Sequence, residues 1–136
     1  MNDNIAKILK YTKTIAVVGL SPKPERASNI VSEYMQAQGY KIIPVYPREE
    51  KILGEPVFRN LRDIKEHVDM VVIFRRSEEV LPVVEEAIKI KPKAIWMQEG
   101  VINKEAADMA IKNEIEVVMD KCIMKEHVQN NKGQEP

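Results

Sequence analysis

A single cysteine in 136 residues, Cys122, excludes an internal disulfide and fits a reducing compartment. No stretch approaches the roughly 20 consecutive apolar residues of a membrane span. The first residues, Met1 to Ile5, lack the basic start and apolar run of a signal peptide. Neither sign of charge is in excess: 21 Lys plus Arg stand against 21 Asp plus Glu, which leaves no global field to attract nucleic acid or an anionic membrane. The expected setting is the cytoplasm, with neither nucleic acid nor membrane as partner. The two histidines, His67 and His127, are far apart, and with one cysteine they do not make a metal-ligand set. Gly-x-Ser-x-Gly elbows, Walker loops and His-Glu-x-x-His runs are all missing, so no catalytic residue is assigned.

What is present is an ordinary core composition, 44% hydrophobic, in a length that fits one domain and buries roughly two-thirds of its unfolded surface. Apolar periodicity alternates between helix and strand. A short amphipathic helix over 3–11 precedes a strand from Thr14 to Leu20, a helix from Ser28 to Gln38 with Gly39 as its C-cap, and a strand over 41–46. Pro47, Gly54 and Pro56 break up the next segment, and Asn60 precedes a short helix over 61–66. A continuous apolar run, Asp69 to Arg75, reads as a parallel strand covered on both faces. Ser77 is the expected cap of the following helix, with Glu78 and Glu79 in its first turn. A strand from Ala94 to Met97, an Asn103-capped helix over 104–113 and a strand from Ile115 to Met119 complete the pattern. Five strands joined by right-handed crossovers predict an α/β fold, a single doubly wound parallel five-stranded sheet of order 3-2-1-4-5. The domain is expected over 1–129, with a flexible polar tail at 130–136.

In such a sheet the ligand crevice lies beyond the carboxyl ends of the strands, where the strand order reverses. A dinucleotide-binding βαβ unit carries an Asp or Glu at the tip of its second strand, for the ribose hydroxyl. This chain instead reads Val45-Tyr46-Pro47-Arg48. A cation at that tip suits a nucleotide with an extra phosphate better than NAD. The first loop, Gly19 to Ser28, has one glycine where the dinucleotide fingerprint has three. Gly19 permits the tight turn, Ser21 and Ser28 offer hydroxyls, Lys23 and Arg26 add charge, and the helix amides favour an anion.

Arg75 and Arg76 fall on opposite faces by strand alternation, so only one faces a ligand, and Arg75 is the choice. Phe74 offers an apolar wall. After the fourth strand, Gln98 and Glu99 are hydrogen-bonding candidates and Gly100 lets the backbone turn closely. Trp96 reads as packed. Cys122 reads first as a small buried hydrophobe, with a reactive redox thiol as the sharper alternative.

Taken together, Val17-Val18-Gly19-Leu20-Ser21 with Arg26 and Ser28, Val45-Tyr46-Pro47, Val72-Ile73-Phe74-Arg75, Trp96-Met97-Gln98-Glu99-Gly100 and Met119-Asp120-Lys121-Cys122 resemble the small stand-alone CoA-binding proteins. That family is related to the nucleotide-binding domain of the succinyl-CoA synthetase α subunit and of ADP-forming acyl-CoA synthetases. The resemblance spans about residues 10 to 128 and implies a Rossmann-like three-layer sandwich that binds coenzyme A across the crevice. Gly19, Leu20 and Ser21 with Lys23, Arg26 and Ser28 would hold phosphates. Tyr46, Pro47 and Arg48, with Phe74 and Arg75, would flank the adenosine, and Gln98, Glu99 and Gly100 would lie near the pantetheine arm. Lys121 departs from the arginine frequent there and is left out, since it cannot make a bidentate contact. The related synthetases work through a phosphorylated histidine on a further domain, and neither His67 nor His127 lies in a matching motif. The implied function is non-catalytic binding of CoA or acyl-CoA in a carrier, sensor or accessory role. Two alternatives stand beside it, an NADP-dependent oxidoreductase and the nucleotide-binding subunit of a larger acyl-CoA ligase. A homo-oligomer or a ligase subunit is the expected protein partner.

Overall fold

The computed structural model describes residues 3–132. Helix α1 (Asp3–Tyr11) leads into β1 (Thr14–Val18), α2 (Ala27–Ala37) and β2 (Lys41–Val45). A two-stranded antiparallel hairpin follows, β3 (Lys51–Ile52) and β4 (Glu55–Pro56). Then come a 3-10 turn at Leu61–Asp63, β5 (Met70–Ile73), a second 3-10 turn at Ser77–Glu79, and α3 (Val80–Lys89). The chain closes with β6 (Ala94–Met97), α4 (Lys104–Lys112), β7 (Glu116–Val118) and α5 (Ile123–Lys132).

The five long strands are all parallel and lie in the order β2-β1-β5-β6-β7. Beyond β2 the chain adds one parallel bridge, Val45 to Phe58. Counting that bridge as the third element gives the expected 3-2-1-4-5 pattern; the run 69–75, taken as third in the sequence, lies on the other side of β1. The order therefore reverses between β1 and β5, and the crevice opens there.

Period-two alternation sends strand side chains to two separate cores. Ala16, Val18, Ile43, Val45, Val71, Ile73, Ile95 and Met97 face α3 and α4, while Ile15, Val17, Ile42, Met70, Val72 and Trp96 face α1, α2 and α5. Trp96 is fully buried, and its indole N–H donates to the carbonyl of Lys121 at 2.8 Å, so it is packed as the sequence suggests.

Three local expectations are corrected. Ser77 does not cap α3: its Oγ accepts from the amide of Ile102 at 2.9 Å and donates to the carbonyl of Gly100 at 3.4 Å, tying together two loops at the carboxyl edge. The helix expected over 61–66 is only the turn Leu61–Asp63, because Ile64 is already extended. Residues 123–132 form α5, an element without a counterpart in the sequence reading. Its buried side carries Ile123 and His127, and the histidine masks the apolar stripe. Residues 130–132, expected as tail, end that helix, and 133–136 lie outside the described residues. By contrast Asn103 caps α4 as its position predicts, accepting from the amide of Ala106 at 2.9 Å.

Candidate functional site at the carboxyl edge of the sheet

Register brings the candidate loops level. Val18 is paired with Val45 and with Ile73, and Ile73 with Met97. The next residues, Gly19, Tyr46, Phe74 and Gln98, therefore leave the sheet in one row. Gly19 has φ +88°, and a Cβ there would collide with the carbonyl oxygen of Phe74. Glycine is required at this position on both counts, conformation and contact.

A cleft of about 300 Å³ opens on this row, lined by Gly19, Ser21, Arg26, Ala27, Ser28, Tyr46 and Phe74. The loop that forms its floor is cross-braced internally. Ser28 Oγ accepts from the amide of Ser21 at 2.9 Å, Ser21 Oγ accepts from the amide of Lys23 at 3.1 Å, and the buried Asn29 donates to the carbonyl of Ser21 at 2.8 Å. Both hydroxyls are thus used as acceptors, and each keeps its O–H to donate. Arg26 occupies the N-cap of α2 in extended conformation without a side-chain cap. Among the described residues the amides of Ala27 and Ser28 meet no acceptor, and they open into the cleft at the positive end of the helix.

The arginines divide by pairing. Arg62 pairs with Glu86 at 3.0 Å, and Arg76 pairs with Glu79 at 3.7 Å. Among the described residues Arg26, Arg48, Arg59 and Arg75 have no carboxylate within ion-pair distance, and all four follow the carboxyl edge of a strand or bridge. Arg75 is half-buried and Arg76 exposed, and neither lines the cleft. Lys23, Pro47 and Arg48 are exposed around the cleft loops.

Other expected site residues are engaged elsewhere. The Leu20 side chain is fully buried in the core, which leaves only its backbone to a ligand. Gln98 is 4% exposed, and its Oε1 accepts from the amide of Ile123 at 3.0 Å, so it caps α5. Glu99 lies 3.1 Å from Lys125, and that hydrogen bond raises the lysine pKa. Gly100 turns with φ +85°, its amide donating to Asp120 Oδ1 at 2.7 Å. None of these three lines the cleft. Cys122 is buried within the hydrophobic cluster beneath α5, the packed arrangement.

Asn29 and Arg59 are polar residues that sequence reading passes over, and Asp120 is noted there only within the family resemblance, without a role. Asn29 carries a faint signal, a polar residue one position beyond the Ser28 of the expected phosphate loop. His127 is also functional to the architecture: it is buried between α2 and α5, 2.7 Å from the hydroxyl of Tyr34 and edge-on to Tyr34 and Tyr40. Burial holds its pKa below the ordinary 6.5 and pushes the Tyr34 hydroxyl up. His67 is exposed at the amino edge, away from the crevice.

A family model described as a CoA-binding domain matches residues 13–128. The chain belongs to the CoA-binding domain family. The chain is 42% identical over 123 residues to the uncharacterized protein YneT of Bacillus subtilis (strain 168), covering 90% of this chain and 91% of YneT. A solved protein of Pyrococcus horikoshii OT3 superposes with TM-score 0.92 at 36% identity, over 96% of this chain and 92% of that one. An ADP-forming acetate–CoA ligase of Archaeoglobus fulgidus is 31% identical over 78 residues, 57% of this chain and only 11% of the ligase. The CoA-binding domain is thus shared with much longer ADP-forming ligases. Among the described residues of this member, no helix is long and apolar enough to cross a membrane.

Proposed function

We propose that this CoA-binding domain protein binds coenzyme A or an acyl-CoA without transforming it, as a carrier, sensor or accessory subunit. The observation that carries the reading is Arg26 on the Gly19–Phe74 cleft beside the two amides that open α2, with Arg48, Arg59 and Arg75 in the adjoining loops likewise without a carboxylate partner among the described residues. A polyphosphate answers all of these donors at once. In this reading Ser21, Lys23, Arg26 and Ser28 hold the diphosphate, and Tyr46, Pro47, Arg48, Phe74 and Arg75 flank the adenosine. The pantetheine arm runs toward the Gln98–Gly100 turn. With Gln98 Oε1 and the Glu99 carboxylate engaged by Ile123 and Lys125, that turn contributes surface and backbone more than side-chain hydrogen bonds. Bound CoA supplies a thiol, and the residues around it orient and shield it.

Calorimetric titration with CoA, NADP and NAD tests the reading. Saturable heat with CoA and none with NAD is expected. No heat with CoA together with clear binding of NADP rejects it in favour of a nicotinamide-nucleotide protein.

The partial match to ADP-forming ligases favours a second reading, in which the chain supplies the nucleotide domain of a larger enzyme. Co-purification with a second subunit, and acyl-CoA synthesis only in the mixture, is the result that selects it.

A further inference from the structure

Arg59 is brought to the loop after β2 by the bridge that precedes it in the chain. Phe58 forms the single parallel bridge to Val45, its amide donating to Pro44 at 2.9 Å and its carbonyl accepting from Tyr46 at 3.0 Å. That bridge sets Arg59 beside the loop that follows β2. There Arg59 Nη1 donates to the carbonyls of both Tyr46 and Arg48, at 3.1 Å each.

A guanidinium has five N–H donors in a fixed fork. The two on Nη1 clamp the loop, and among the described residues the three on Nη2 and Nε meet no protein acceptor. Arg48 belongs to the clamped loop, so two guanidinium-bearing residues are fastened to one short stretch of backbone. Glu49 and Glu50 follow in the chain, yet neither comes within ion-pair distance of Arg48 or Arg59. With no carboxylate beside either residue, a dianionic phosphate bound at this loop would be attracted by both guanidiniums. The planar fork also suits phosphate better than a point charge does.

We propose that Arg59, acting with Arg48, is the specificity-determining residue for a monophosphate on the adenosine ribose of the ligand. This rests on the proposed CoA reading, in which the group is the 3′-phosphate that separates CoA from dephospho-CoA. The same chemistry is met by the 2′-phosphate that separates NADP from NAD. Nη1 gives Arg59 a positioning role toward the loop, and the three remaining donors give it a binding role, so the two must be separated by experiment.

The test titrates the full-length protein and its Arg59→Gln and Arg59→Lys variants with CoA and dephospho-CoA, with NADP and NAD in parallel. Melting temperatures are recorded for each protein. Wild type is expected to prefer CoA over dephospho-CoA by about tenfold, the scale of one charge-assisted contact. Arg59→Gln should erase that preference by weakening CoA alone, and Arg59→Lys, which keeps charge without the fork, should fall between. Equal weakening of both ligands by Arg59→Gln reduces Arg59 to a loop brace and overturns the proposal, as does an unchanged ratio in both variants. Should the glutamine variant fail to fold, the lysine variant decides on the ratio. Wild type that binds CoA and dephospho-CoA equally sinks this inference alone. Wild type that binds neither, nor either nicotinamide nucleotide, sinks the CoA reading and this inference together. A phosphate preference found only in the NADP–NAD pair keeps the role of Arg59 and removes CoA as its ligand.

Discussion

At the amino edge of the sheet, Asp69 Oδ2 accepts from the amides of Lys13 and Thr14 at 2.9 and 3.0 Å, His67 lies 3.4 Å from Asp69 Oδ1, and Lys41 pairs with Glu66 at 2.8 Å. At the carboxyl edge, Arg26, Arg48, Arg59 and Arg75 have no carboxylate partner among the described residues, and the turn at Gly19 lies against the Phe74 carbonyl. The amino edge uses its charges to stitch strand beginnings together, whereas at the carboxyl edge these four arginines stay without carboxylate partners although Arg76 and Lys125 pair there with Glu79 and Glu99. The chain is neutral overall, so the distinction comes wholly from where charges are placed.

The contrast predicts that variants at the two edges fail differently. Gly19→Ala should have the largest effect. A Cβ at φ +88° in contact with a backbone carbonyl costs about 3 kcal/mol. A melting-temperature fall of about 10 °C and loss of measurable CoA binding are expected, by calorimetry on both counts. Arg26→Ala should raise the CoA dissociation constant by about fivefold to a hundredfold, from a lost contact worth about 1–3 kcal/mol, with an unchanged melting temperature in the absence of ligand. A shift in that temperature would place Arg26 among the structural charges and blur the contrast.

Asp69→Ala is the mirror experiment. It leaves two amides without their acceptor and should lower stability by about 1–2 kcal/mol in urea unfolding, while CoA affinity stays at the wild-type value. Weakened CoA binding in this variant would break the comparison. The smallest effect concerns His127. Because burial lowers its folded pKa below 6.5, the stability it contributes is complete above pH 6.5. It is lost as the pH falls from there through the folded value, since the unfolded chain takes up the proton more readily. Melting scans from pH 8 to pH 5 should therefore decline less steeply for His127→Gln than for wild type.

Much of this was legible in the chain. The apolar runs Thr14–Val18 and Met70–Ile73 mark buried parallel strands, Asn103 marks the start of α4, and the cation at Arg48 replaces an expected acid. Each of these signals acts within a few residues. The misses share the opposite property. Helix α5 is hidden because its first amide is capped by Gln98, 25 residues away, and because a histidine fills its buried stripe. Ser77 carries a residue type suited to capping, yet its hydroxyl is drawn to the Gly100–Ile102 backbone across the edge. Leu20 lies in the right loop with its side chain turned into the core.

Sequence alone determined that helices and strands alternate, that the crevice lies at the carboxyl edge, and that cations rather than a ribose-binding acid stand there. Only the tertiary structure decided which cations lack a carboxylate partner among the described residues. Arg62 finds Glu86 across 24 residues and Lys41 finds Glu66 across 25, whereas Arg59 finds backbone carbonyls. The physical reason is range: propensity and capping act over one or two turns, but charge pairing acts over a few ångströms of space. Such distances between remote residues are set by strand register and helix packing.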